Sequence, residues 1–240
     1  MTYRRQAFLA LCSALAVAGS AQNADAQLGW TVYGVGEFDT SDVVLVLGGV
    51  SVSPARQGWV PVAGISASWL QYPTGAVTGD ENQSVTTVMP SIGVANNFNG
   101  GSFQLRAGYA FADGEDLAFP VVAADVGRDG AVGIAQLDYW GTGALGAQAI
   151  ASYNFGGESF WGRGRLTYRI MSLGNNGDLR IGPEVAYLNS DEYSATQVGG
   201  VVGFNPGGGT FLTGGVGRKL TDDGEDATYF RFEIVLTRTR

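Results

Sequence analysis

The final segment of the chain, residues 229–237, alternates between polar and apolar side chains. Successive side chains of a strand point to opposite faces, so this segment has one apolar face and one polar face. The pattern recurs along the chain, and the apolar faces carry aromatic residues near the strand ends. This combination is typical of a membrane-spanning barrel that is apolar outside and polar inside. The apolar set is Phe230, Phe232, Ile234 and Leu236, and the polar set is Tyr229, Arg231, Glu233 and Thr237, with Val235 the one exception.

The same reading predicts about twelve strands and no helix of useful length. No apolar run after residue 26 approaches the roughly 20 residues that a spanning helix needs, whereas about 9–11 residues suffice for a tilted strand. We therefore expect an all-β fold, a closed antiparallel transmembrane β-barrel of about 12 strands formed by residues 27–240. The expected strands are 28–38, 43–53, 58–71, 86–98, 102–112, 132–141, 144–155, 159–171, 178–188, 192–204, 210–220 and 227–238.

The predicted connections differ in length between the two ends of the barrel. The two longest, residues 72–85 and 113–131, fall on the end opposite to both termini, as does the acidic turn 221–226. Short periplasmic turns and longer external loops are typical of outer-membrane barrels. We also expect an aromatic girdle at the two membrane interfaces. Its candidates are Trp30, Trp59, Trp69, Tyr72, Tyr109, Phe111, Tyr153, Phe155, Phe160, Tyr187, Phe204 and Phe211.

Residues 1–26 have the features of a secretory signal peptide. Arg4 and Arg5 precede a mostly apolar run over residues 7–18, and the small residues of 24–26 fit a cleavage site before Gln27. Cys12 is the only cysteine and lies inside the apolar run, so the mature chain has no disulfide or thiolate metal site. We expect export to the bacterial outer membrane, with outer-membrane lipid as a partner.

Charge and composition exclude several kinds of function. The formal net charge is −8, and removal of the signal peptide makes it −9, which disfavours nucleic acid as a partner. The sequence contains no histidine, which removes histidine-dependent hydrolytic sites and histidine metal sites. No carboxylate pair stands out as a glycoside hydrolase site. We therefore expect a protein that is not an enzyme and has no cofactor, catalytic residue or metal site.

Charged residues on the polar strand faces are the candidate functional residues. Arginine facing lipid at the membrane midplane costs about 2–4 kcal/mol, so we expect these side chains to line the lumen. They could form a lining selective for anions or sugar acids. Alternatively, arginines and carboxylates, with Glu37 among the partners, could pair into a network that fills a narrow barrel. The predicted lumen-lining residues are Arg106, Asp138, Arg163, Arg165, Arg169, Arg180, Glu184, Arg231 and Glu233.

Residues 130–204 resemble part of the BcsS-type cellulose biosynthesis proteins, a family of small outer-membrane barrels. The resemblance rests on residues 134–140, residues 165–169, and above all residues 181–186 with their Gly-Pro-Glu triplet, followed by Tyr193 and Gly199-Gly200. It covers about a third of the chain and implies a non-enzymatic accessory role in making or exporting cellulose. The implied partners are the cellulose synthase machinery or the polysaccharide itself. The resemblance carries over no binding residue.

Three functions are thus expected from the sequence. The first is an outer-membrane barrel accessory to cellulose or exopolysaccharide production. The second is a narrow passive channel for small anionic solutes or oligosaccharides. The third is a structural or surface-adhesion barrel.

Pro183 cannot donate to a strand ladder, so its position inside a predicted strand indicates a bulge or a distorted edge there.

Overall fold

The structure is a computed structural model. It describes residues 28–73, 82–113, 129–140, 143–174, 177–190, 193–222, 224 and 226–238. The predicted signal peptide, residues 1–26, lies outside the described residues. Among the residues that the structure describes, no helix is both long and apolar enough to cross a membrane.

Twelve antiparallel strands form one closed barrel in which each strand pairs with its neighbours in sequence. The prediction of a closed, all-β barrel of about twelve strands is confirmed. The observed strands begin and end within a few residues of the predicted ones. They are β1 (Leu28–Asp39), β2 (Val44–Pro54), β3 (Gly58–Pro73), β4 (Asn82–Phe98), β5 (Gly101–Asp113), β6 (Gly130–Tyr139), β7 (Leu145–Asn154), β8 (Ser159–Leu173), β9 (Gly177–Ser190), β10 (Tyr193–Gly207), β11 (Thr210–Thr221) and β12 (Ala227–Arg238).

Pairing between the first and last strands closes the barrel. The register runs without a break from Trp30 opposite Arg238 to Asp39 opposite Tyr229. An open sheet would leave two rows of unpaired backbone groups, which a hydrocarbon environment cannot satisfy. Closure therefore makes this sheet compatible with a membrane.

The outer face of the barrel is apolar and exposed. Phe232 is 56% exposed, and Phe230, Leu166, Tyr168 and Ile92 are exposed around the same surface. Such an extensive apolar surface is unusual for a monomer in water and is the expected outer face of a barrel in lipid. Ile234 and Leu236 lie at intermediate exposure on the same face of β12 as Phe230 and Phe232.

Aromatic pairs lie near the strand ends on this outer face. The ring centroids of Phe38 and Phe230 are 5.2 Å apart, and those of Tyr109 and Phe111 are 4.8 Å apart.

The predicted girdle is wrong at two positions. Tyr72 is buried inside the barrel with Leu70, and Phe211 lines an internal cavity. Both residues fall on the inward side of the strand alternation, which position near a strand end alone does not reveal.

Connections of different length lie at the two ends of the barrel. The end at which β1 begins and β12 ends, called here the terminus end, has the short connections 55–57, 99–100, 140–144, 174–176 and 208–209. The longer connections, 74–81 and 114–129, join strands at the opposite end, called the loop end. Gly208 and Gly209 form a two-residue turn with φ of 69° and 82°. Positive φ at both positions is the backbone of the hairpin turn that matches strand twist.

Pro183 interrupts a ladder without shifting its register. The pairing of β8 with β9 stops after Arg165 opposite Glu184 and resumes at Tyr168 opposite Ile181 in the same register. Of the predicted bulge or distortion at Pro183, the bulge is absent, whereas the break in the β8–β9 ladder is a local distortion. The register shift occurs further along β8, between Arg169 and Met171. A missing N–H removes hydrogen bonds locally, but it does not require an extra residue in the strand.

Gly182 lies where the backbones of β8 and β9 approach closely. A Cβ atom at Gly182 would lie 1.8 Å from the carbonyl oxygen of Leu166, whereas one at Gly164 would meet nothing within 4 Å. We expect Gly182→Ala to lower the free energy of unfolding by about 1–3 kcal/mol, the usual cost of overpacking. Chemical unfolding in lipid vesicles measures this, with Gly164→Ala as the matched control. Equal stabilities of the two variants would contradict the close approach.

Candidate functional site: a charged belt and a cavity inside the barrel

Arg165 joins strands that are not neighbours in the sheet. Its Nη2 donates to Glu184 Oε2 on β9 at 2.7 Å and to Glu233 Oε2 on β12 at 3.0 Å. β8 and β12 are separated by three strands on one side of the barrel, so the contact to Glu233 must cross the lumen. All three side chains are nearly fully buried. The guanidinium therefore bridges the interior of the barrel.

Arg231 on β12 makes a second crossing. Its Nη1 donates to Glu184, and its Nη2 donates to Glu37 Oε2 on β1 at 2.6 Å and to Gln197 Oε1 on β10 at 2.8 Å. Gln197 Nε2 donates in turn to Glu37 Oε1 at 2.6 Å. Glu184 thus receives hydrogen bonds from two arginines on opposite sides of it. Loss of this one carboxylate would leave both guanidiniums without a shared partner.

Glutamines extend the same network around the other side of the lumen. Arg163 forms an ion pair with Glu233 at 3.1 Å and donates to Gln148 Oε1 at 3.2 Å. Gln148 and Gln136 each donate to Asp138 at 2.6 Å. Arg106 Nη2 donates to Gln136 Oε1 at 3.2 Å. We call the whole network the charged belt, which consists of Glu37, Arg106, Gln136, Asp138, Gln148, Arg163, Arg165, Glu184, Gln197, Arg231 and Glu233.

The belt carries equal numbers of opposite charges. Four guanidiniums face four carboxylates, so the formal charges of the belt cancel. A buried ion pair stabilises a protein only when its geometry and remaining hydrogen bonds offset the cost of desolvation. In the belt, three glutamine amides satisfy oxygen atoms that the arginines do not reach. The arrangement has the chemistry of a filled interior rather than of an anion-selective lining.

Two predicted lumen residues lie apart from the belt. Arg180 on β9 pairs with Asp178 at 2.9 Å and donates to the carbonyl oxygen of Trp140 at 3.2 Å. Arg169 lies opposite Arg180 in the ladder, next to the bulge of β8, and is only partly buried. In the part of the chain that the structure describes, no ion pair joins Arg169 to a carboxylate. The other seven predicted residues, Arg106, Asp138, Arg163, Arg165, Glu184, Arg231 and Glu233, all belong to the belt.

Sequence reasoning missed several polar residues of the interior. Lys219 on β11 pairs with Asp39 on β1 at 2.7 Å, and both side chains are buried. The glutamines of the belt were also missed because they carry no charge. The sequence does indicate an inward position for Gln136, because it lies two residues from Asp138 and therefore on the same face of β6.

Apolar side chains pack on the inner face of β2, β3 and β4 near the loop end. Leu70 and Val85 are 0% and 1% exposed, and they pack with Leu45 and Tyr72 in one cluster. Leu45 lies opposite Leu70, and Leu70 lies opposite Val85, in the strand register. We call the cluster of Leu45, Leu70, Tyr72 and Val85 the apolar cluster.

Tyr229 is also fully buried and lies next to Gly199 and Gly217, where an added Cβ would fall within 2.7 Å of its side chain.

A cavity of about 930 Å³ occupies the rest of the lumen. It begins at the terminus end, where Gly29, Gln57 and Arg238 line it, and extends past the belt to Ser68 and Thr87. Most of its wall comes from β2 to β7, whereas the belt is densest between β8, β12 and β1. Most belt residues therefore line the cavity, whereas Arg165 and Glu184 lie outside its lining.

An aromatic pair spans the mouth of this cavity. The rings of Trp140 and Phe211 stack with centroids 4.9 Å apart. Trp140 follows β6 and Phe211 belongs to β11, strands on opposite sides of the barrel. Their contact therefore narrows the opening at the terminus end.

Among the described residues, no group of three or more histidine, cysteine or acidic side chains could hold a metal ion.

Solved outer-membrane barrels share this fold. An outer-membrane channel from Pseudomonas putida F1 aligns with a TM-score of 0.51 and 10% identity, covering 89% of this chain and 96% of that one. The β domain of the Bordetella autotransporter BrkA aligns with a TM-score of 0.50 and 14% identity, covering 90% and 100%. No protein-family model matches the sequence, and no curated protein matches it. The chain therefore has the fold of outer-membrane barrels, and neither of these two structures is a BcsS-type protein.

Proposed function

We propose that the protein is a non-enzymatic barrel of the bacterial outer membrane that is accessory to the production or export of an exopolysaccharide, cellulose in the first place. The observation that carries this proposal is the charged belt. An anion-selective pore needs unpaired positive charge facing a water-filled path. Here the arginines cross the lumen and pair with carboxylates, which supports a barrel that does not conduct freely. The resemblance of residues 130–204 to BcsS-type proteins supports cellulose as the polymer, and the cellulose synthase machinery or the polysaccharide as the partner.

The apolar cluster supports the same conclusion. Its four side chains lie on the inner face of β2, β3 and β4 near the loop end, and two of them have almost no exposed surface. A solute that passes the belt from the terminus end would meet this apolar surface. The exposed apolar outer face supports outer-membrane lipid as the surrounding partner.

Deletion of the protein in a cellulose-producing strain tests the proposal. We expect polymer yield or surface attachment to fall, uptake of small solutes to stay unchanged, and the intact gene to restore the polymer. The purified barrel in a planar bilayer should show little conductance. Normal polymer output in the deletion strain, together with a robust conductance that depends on the arginines, would contradict the accessory role.

A narrow passive channel is the second candidate, and the cavity favours it. A path of about 930 Å³ already extends along β2 to β7. If it conducts anions, replacement of Arg163, Arg165 and Arg169 by glutamine should shift selectivity toward cations. Reversal potentials in a salt gradient measure this shift. Of the expected functions, the surface-adhesion barrel has no feature of the described residues in its favour.

A further inference from the structure

The arginines at the mouth of the cavity form no ion pair among the described residues. Arg56 in the β2–β3 turn and Arg238 at the end of β12 line its mouth, and Arg106 on β5 lines its wall. The acidic residues of the lining are Glu37, Asp138 and Glu233, and the belt engages all three. A ligand that enters from the terminus end therefore meets arginines before it meets any carboxylate.

Among the described residues, Arg106 is the arginine of the belt for which no ion pair is found. Its one hydrogen bond in the described part of the chain is from Nη2 to Gln136 at 3.2 Å. Its Nε atom is buried and has no acceptor. A hydrogen-bond donor on a charged group that is buried without a partner costs more than a neutral one. Arg106 is therefore the arginine of the cavity whose hydrogen bonding and ion pairing an anionic ligand would improve most.

Two hydroxyl groups of the same cavity also lack partners. Thr87 and Ser152 are 3% and 4% exposed, both line the cavity, and neither hydroxyl oxygen makes a hydrogen bond among the described residues. Each such group is destabilising, and a rotation of its side chain toward the cavity would let a ligand satisfy it. The site therefore calls for a ligand with several hydroxyl groups in addition to an anionic group.

The remaining wall offers apolar surface between these polar groups. Trp161, Met89, Ile134 and Ile150 line the cavity. A mostly apolar wall with a few placed polar groups is the usual composition of a small-molecule site. Sugar rings combine an apolar face with a polar rim, which fits this alternation. Thr87 lies opposite Ala112, about 20 Å along β5 from Arg106 at 3.3 Å per residue, so a ligand that reaches both is longer than one sugar ring.

We propose that the lumen cavity binds a short acidic oligosaccharide, with a carboxylate on Arg106 and hydroxyl groups toward Thr87 and Ser152. This proposal does not depend on the proposed role in cellulose production. Cellulose is uncharged and therefore lacks the carboxylate that Arg106 would bind. Arg56 and Arg238 attract the ligand at the mouth. Trp161 and the aliphatic side chains contact the sugar rings.

Calorimetric titration of the full-length mature barrel in detergent tests this site. The probes are a β-1,4-linked glucuronate trimer and cellotriose, which have the same linkage and differ in their carboxylates. We expect saturable binding of the glucuronate trimer that weakens as salt is added, and at least tenfold weaker binding of cellotriose. Absence of trimer binding, equal binding of both probes, or equally tight binding of inorganic phosphate would overturn the proposal.

Variants assign the binding to the cavity. Arg106→Gln should weaken trimer binding at least tenfold, and Thr87→Val, which keeps the side-chain volume, should weaken it several-fold. Arg218→Gln is the control, because Arg218 is exposed on the outer side of β11 near the loop end. Circular dichroism establishes that each variant is folded. Full trimer affinity in folded Arg106→Gln and Thr87→Val would place the binding elsewhere and overturn the proposal, and cellulose output of the deletion strain would be unaffected by that result.

Discussion

Replacement of Glu184 by alanine is expected to lower the free energy of unfolding by about 3–5 kcal/mol. Glu184 is 2% exposed and accepts hydrogen bonds from Arg165 and Arg231 inside the barrel. Removal of its carboxylate leaves two buried guanidiniums with an excess of positive charge. Reversible urea unfolding in lipid vesicles, followed by tryptophan fluorescence, measures the loss.

Asp226→Ala is the matched control for Glu184→Ala. Asp226 also pairs with an arginine, Arg218, but the contact is 3.8 Å long and both side chains are largely exposed. An exposed pair of this kind contributes about 0–1 kcal/mol. If the two variants lose the same stability, the belt is hydrated rather than packed. That outcome would also remove the main support for a barrel that does not conduct.

Strand positions and faces could be predicted because they depend on local pattern. Arg163 and Arg165 follow each other at a spacing of two on β8, and glycines or apolar residues separate them. The cost of placing arginine in lipid then decides which face points inward. This reasoning needs no knowledge of the neighbouring strands, and it holds for all seven predicted residues of the belt.

The partners of these residues could not be predicted in the same way. Arg165 reaches Glu233 across the lumen, and the two residues lie on strands that are not adjacent. Such a contact depends on strand tilt and barrel diameter, which one strand's alternation does not encode. For the same reason the sequence did not reveal that the charged side chains leave a cavity beside them inside the barrel.

The Gly-Pro-Glu triplet has a structural explanation that the sequence alone did not supply. Gly182 permits a close approach of β8, Pro183 removes a ladder hydrogen bond at the same point, and Glu184 accepts from two arginines. Gly182 therefore serves backbone packing, Pro183 limits strand pairing, and Glu184 belongs to the belt. Their order suits this position in the barrel, and none of the three residues lines the cavity.

Phe232→Arg is expected to lower the free energy of unfolding in a bilayer by about 2–4 kcal/mol, the cost of a lipid-facing arginine near the midplane. Phe232 lies in the middle of β12, is 56% exposed, and is paired with Gly36 and Gly214. Folding titrations in lipid vesicles measure the change. Val235→Arg is the control, because Val235 lies on the opposite face of β12 and lines the cavity, where an added cation meets water. A larger loss for Val235→Arg than for Phe232→Arg would mean that the inner and outer faces of β12 are assigned the wrong way round.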